Sequence, residues 1–138
     1  MPVDLPGAVA AVRNRALRLG AYGDPAAIPE SAGVVQALTA AASTHTGYTH
    51  QWRKAFAAWL RPFCMASLDV GTTAEALEAC HAQGWRSFRA EVTADPVARR
   101  EIVCPATTEA AAQCITCGLC DGARNGTKQP KSIVIAIH

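Results

Sequence analysis

The feature that most constrains the fold is a rhythm: short β-prone runs alternate with helical stretches from about residue 17 to residue 92. Residues 17–22 read as a strand stopped by Gly23, Asp24 and Pro25. Pro29, Glu30 and Ser31 then open a helix that carries Val34, Val35 and Leu38 on one face and runs to about Ala42. Residues 44–49, rich in threonine and carrying Tyr48, form a second strand. Residues 51–60 set Trp52, Phe56, Trp59 and Leu60 at three- and four-residue spacing, a helical stripe ended by Pro62. The pattern repeats with a strand at 63–68, a helix capped by Thr72 or Thr73 and closed by Gly84, and a strand at 85–92. Residues 132–137, with Ile133, Val134, Ile135 and Ile137, are the most β-rich run. Strands alternating with helices give right-handed βαβ units on a parallel sheet. Four or five strands fall short of a closed eight-stranded barrel. The expected class is therefore α/β, a small open parallel sheet or half (β/α) barrel, followed by a cysteine-rich metal-binding C-terminal segment. We read one domain over 1–138, with an α/β part at 1–98, a metal-binding segment at 99–131 and a closing strand at 132–138. That last strand is apolar on both alternating faces, which predicts a place inside the sheet or against another subunit rather than at a bare edge.

Half of the 138 residues are apolar and 17% are charged, enough to bury a real core. No apolar run approaches the roughly 20 residues that cross a bilayer. The first residues lack a basic-then-apolar leader layout, so a cytoplasmic protein is expected. A net charge of +2 does not indicate a nucleic-acid partner. Arg13, Arg15, Arg18, Arg99 and Arg100 are read as solvated surface, the last two being interrupted by Asp95 and Glu101.

Chemistry concentrates in the cysteines. Cys114, Cys117 and Cys120 form a C-x2-C-x2-C run, and Cys104 precedes Pro105 ten positions earlier. Three thiolates at every third residue can turn toward one centre, each taking a different iron of a cubane, with the Cys-Pro cysteine as fourth ligand. A [4Fe-4S] cluster is the expected cofactor. Zinc is the alternative, because four thiolates also make a closed tetrahedral site, although zinc knuckles normally use two separated pairs. Cys64 lies in an apolar strand run and Cys80 follows Leu77 by three on a helix, so both read as core residues.

Ligands of open α/β sheets bind beyond the carboxyl ends of the strands. The polar residues expected there are Asp24, then Tyr48, Thr49 and His50, then Asp69 and Glu91. Asp24, His50 and Asp69 are the catalytic candidates, set against the reading that an Asp ahead of Pro or Gly is ordinary turn chemistry. His45, His81 and His138 are expected to be solvated. Nucleotide-binding, serine-hydrolase and zinc-protease motifs are missing from the sequence.

The phrases LRLGAYGDPAAIP, TGYTHQWR, FCMASLD, GWRSFRAE and IVCPATTEA, followed by CITCGLCDG, run in order along the chain. Together they resemble a family carried by bacteriophages, actinobacteriophages among them, and by bacterial mobile elements, over roughly residues 17–138. Longer relatives look similar to a radical-SAM-like half-barrel with a cysteine-rich end. The resemblance implies an α/β fold with a metal-binding tail and a phage or plasmid origin, and brings no activity. The chain departs from radical-SAM enzymes in having no C-x3-C-x2-C loop. Four protein cysteines leave no iron open for S-adenosylmethionine.

The expected function is a small iron–sulfur protein for electron transfer or redox response. The alternative is a structural-zinc module that binds a host or phage protein or nucleic acid. A monomer is expected, with a homodimer as the alternative.

Overall fold

A computed structural model describes residues 4–20, 23–92, 96, 101–105, 120–123 and 132–136. In chain order the elements are α1 (Leu5–Val12), β1 (Ala16–Leu19), α2 (Val34–Ala41), β2 (Thr44–Thr49), β3 (Met65–Leu68), α3 (Ala74–Ala82), β4 (Ser87–Glu91), β5 (Glu101–Val103) and β6 (Ser132–Ala136). Short 3-10 turns occupy Pro25–Ala27, Glu30–Ala32 and Ala55–Leu60. The strands form one open sheet in the order β1-β2-β3-β4-β6-β5. Every pairing is parallel.

The α/β class and the open parallel sheet match the expectation, and β6 lies inside the sheet between β4 and β5. Three local readings need correction. The stripe at 51–60 is 3-10 at Ala55–Leu60 rather than an α-helix. Ala57 and Leu60 are both fully buried while Phe56 points out, a three-residue period that suits the eclipsed geometry of a 3-10 turn. The first strand ends at Leu19, because Gly20 turns the chain with φ +87° and stands 3.0 Å from the Gly23 carbonyl where a Cβ would be. The sheet has six strands, since β5 lies within the segment read wholly as metal-binding. The N-terminal helix α1 was also unread. Asp4 caps it by accepting from Gly7 N at 3.1 Å, and its apolar stripe of Leu5, Ala8, Val9 and Val12 is only half-buried.

Register sorts the side chains into two faces. Leu19, Thr49, Ala66, Leu68, Ser87, Arg89, Glu101, Ser132 and Val134 share one. Tyr48, Met65, Phe88, Ile102, Ile133 and Ile135 share the other. The first face carries the larger core, in which Leu19, Ala66 and Leu68 pack with Val35, Trp52, Leu60, Leu77, Cys80 and Trp85. These come from α2, α3, the chain between them and the turn after α3, as right-handed forward crossovers require. From β5 to β6 the chain moves backwards along the sheet, and a right-handed crossover in that direction passes over the opposite face. Cys120, which lies between β5 and β6 in sequence, packs on that second face with Met65 and Ile133.

Candidate metal centre on the cysteine face

Cys104 follows β5 directly and extends its ladder, its N–H donating to Val134 O at 2.9 Å. Its side chain is on the second face and buried. Cys120 is equally buried, and the two thiols belong to one cluster with Met65 and Ile133. Tyr48, Phe88, Ile102 and Ile135 pack against that cluster. Tyr48 and Phe88 meet edge to face at 5.0 Å and 69°. Tyr48 thus belongs to this face rather than to the strand-end rim where it was expected. Cys114 and Cys117 lie outside the described residues. Among the described residues no three His, Cys, Asp or Glu side chains gather into a metal-binding group. A four-sulfur site therefore depends on Cys114 and Cys117 joining the other two. The donor chemistry of the described pair fits such a site: two buried sulfurs in one cluster are soft ligands of the kind that thiophilic metals take.

The backbone after Cys120 is built into the amino-terminal end of the sheet. β2 pairs with β3 only at Tyr48 and Thr49. Below that point Cys120 O accepts from Gly47 N at 3.0 Å, and Ala123 N donates to Arg61 O at 2.7 Å. His45 Nε2 is 3.0 Å from both Phe63 O and Asp121 O, so the ring carries its proton on Nε2. The nearly buried Arg86 donates through Nη1 to Asp121 Oδ1 at 3.0 Å and to Gly122 O at 2.8 Å. Gly122 has φ +96°, and a Cβ there would sit 2.7 Å from Arg61 O and Cys64 N. No larger residue fits that approach. The Asp-Gly pair was the sequence signal for this turn, while the roles of His45 and Arg86 left no local trace.

Cys64 and Cys80 lie in the helix-side core, fully buried, as read from the sequence. Burial pushes both thiols up to about 12, with the Asp24 charge adding to the effect at Cys64 and Arg53 opposing it at Cys80. Protonated thiols of this kind are inert.

At the strand-end rim, Asp24 and His50 come together and Asp69 stands apart on the end of β3. The Asp24 carboxylate accepts from Ala26 N (2.9 Å), Thr49 Oγ1 (2.7 Å) and His50 N (2.8 Å). It caps the first 3-10 turn and ties the end of β1 to the end of β2. His50 Nδ1 is 4.0 Å from Asp24 Oδ2, with the ring largely exposed. Asp69 is exposed and its backbone carbonyl holds Thr72. Glu91 is ion-paired to Arg89 at 3.2 Å. His81, expected to be solvated, faces Ser87 Oγ at 2.9 Å and Ser132 Oγ at 3.1 Å at the amino end of the sheet. His138 lies outside the described residues. Among the described residues no helix is long and apolar enough to cross a membrane.

No family model, curated protein or solved structure matches the chain.

Proposed function

We propose that the chain is a small thiolate-ligated metal protein in which Cys104, Cys114, Cys117 and Cys120 hold a [4Fe-4S] cluster for electron transfer or redox response. The reading keeps the phage or mobile-element origin that the sequence resemblance implies. One observation carries it. Cys104 directly follows β5, Cys120 closes the C-x2-C-x2-C run, and both are buried in the same apolar cluster on the face opposite the larger core. When bound, an iron–sulfur cluster supplies one-electron transfer, at a potential set by burial and by hydrogen bonds to sulfur. The chain contributes the four sulfur ligands. Met65, Ile133 and Ile102 keep water away from the site, and Phe88 and Tyr48 border it.

A second reading has its own support. The segment Cys120–Ala123 is hydrogen-bonded into the sheet, so a zinc ion on the same thiolates would staple the β5–β6 connection and leave the surface to bind a host or phage protein or nucleic acid. Anaerobic purification with metal analysis separates the two. The cluster predicts a brown protein, bleached by dithionite, with about four irons per chain. One zinc per chain and no iron would transfer the function to the staple. Failure to retain either metal after anaerobic reconstitution would end both.

A further inference from the structure

Cys120 differs from an ordinary loop ligand in what holds its backbone. Its carbonyl is fixed by Gly47 N, and the next two residues are gripped by a single nitrogen, Arg86 Nη1, which reaches Asp121 Oδ1 at 3.0 Å and Gly122 O at 2.8 Å. His45 holds the Asp121 carbonyl and Arg61 receives the Ala123 N–H. The Arg86 side chain is 4% exposed, and a buried guanidinium needs a hydrogen-bonded acceptor of this kind. These bonds lie on the sheet side of Cys120 and involve no metal. They fix the depth at which its sulfur enters the Met65–Ile133 cluster.

We infer that Arg86 is a positioning residue for the metal: by gripping Asp121 and Gly122 it presets Cys120 as the ligand already in place when the ion arrives. The inference rests on the metal reading given above. A preset ligand has lost its conformational freedom during folding, so metal binding does not bear that cost again. Outer-shell residues that orient ligands typically change metal affinity about 10–100-fold when removed. The bonds to Asp121 and Gly122 come from one nitrogen, so a lysine ammonium at that point can replace them, whereas an amide cannot supply the charge.

The test is an anaerobic cobalt(II) titration of the reduced, metal-free protein, following the thiolate-to-cobalt charge-transfer band, with the unfolding midpoint of the metal-free chain recorded beside it. Arg86→Gln should weaken cobalt binding about 10–100-fold. Arg86→Lys should recover most of that loss. Leu77→Ala, a cavity in the helix-side core, should lower the unfolding midpoint and leave cobalt affinity close to that of the unaltered chain. If Arg86→Gln does not fold, Asp121→Asn carries the test, because it removes the ion pair and keeps the Gly122 bond. It should bind cobalt more weakly than the unaltered chain. Unaltered affinity in the folded variant, or an equal loss in Leu77→Ala, would overturn the positioning role and leave the metal site standing. An unaltered chain that shows no charge-transfer band would instead remove the metal reading and this inference together.

Discussion

On one side of the sheet the cover is made of Val35, Leu60, Leu77, Trp52 and Trp85, side chains that bury apolar area and need nothing else. On the other side the fully described cover is Cys104 and Cys120, with Met65 and Ile133 beneath them. Cysteine is a small hydrophobe while protonated, and a metal ligand once it loses its proton. The contrast follows from topology. Forward crossovers from β1 to β4 send helices to the first face, and with the single backward step from β5 to β6 Cys120 lies on the second. The helix side should therefore be stable by packing alone, and on the proposed reading the cysteine side should depend on its metal.

The largest expected effect concerns the bond that joins the two ends of this arrangement. Arg89 on β4 reaches across β6 to the fully buried Glu101 on β5, with Nε to Oε2 at 2.6 Å and Nη2 to Oε1 at 2.8 Å. These bonds hold the Arg89 guanidinium charged still more firmly than usual. Arg89→Met removes two charge-assisted hydrogen bonds from the buried Glu101 carboxylate and should cost about 3–5 kcal/mol in urea unfolding, because breaking a buried ion pair from one side is strongly destabilising. A loss below about 1 kcal/mol would mean that the pair does not hold β5 to the sheet.

Next in size is a pair of truncations, one on each face. Leu60→Ala opens a cavity in the helix-side core and should cost about 3 kcal/mol, within the usual range for such changes. The shift should be the same with and without metal, since the proposed site is on the opposite face. Met65→Ala, beneath the cysteines, should cost as much in the metal-loaded protein and clearly less after chelation. Equal costs for Met65→Ala in both states would erase the distinction between the faces.

The helix side has its own signature at high pH. Cys64 and Cys80 keep their protons up to about 12 in the folded chain, against an ordinary value of 9.0. Above pH 9 the unfolded chain releases these protons and the native chain does not, so stability is complete below pH 9 and declines as pH rises toward 12. The slope is about 1.4 kcal/mol per pH unit for each thiol. Cys64→Ala should flatten the fall between pH 9 and 10.5 by about half of the combined thiol contribution, as read by denaturant midpoints along the pH series. An unchanged slope would mean that Cys64 is not kept protonated by the core.

Much of the helix side was legible in the sequence because its determinants are local. The second strand matches at both ends, at Thr44 and Thr49, since its threonines and Tyr48 are flanked by turn residues. The helix cap at Thr73 is likewise visible, its hydroxyl accepting from Ala76 N. Elsewhere the determinant was distant or charged. β5 is three residues long and begins with Glu101, whose partner Arg89 is on another strand, so no apolar run marks it. His45 and Arg86 meet Asp121 across 76 and 35 positions, which no spacing rule reports. The candidate cysteines were plain as a set from their spacing. That Cys104 and Cys120 share one face follows from the backward step to β6, a property of strand order rather than of any segment.

The smallest effect is the most local probe of the cysteine face. Tyr48 on β2 and Phe88 on β4 stand edge to face across β3, 5.0 Å apart, beside the cluster that holds both thiols. Such aromatic pairs are worth about 0.5–1.5 kcal/mol beyond the area they bury. A double-mutant cycle with Tyr48→Leu and Phe88→Leu isolates that coupling from the loss of each ring taken alone. In the metal-loaded protein the coupling should fall in that range. After chelation it should shrink toward zero, because a face whose cover has lost its fastening no longer fixes the angle between the rings. The interaction depends steeply on that angle, while the buried area does not, so the coupling responds to loosening that the overall midpoint barely registers. A coupling that survives chelation unchanged would show that strand register alone sets the two rings. The cysteine face would then be as independent of metal as the helix side.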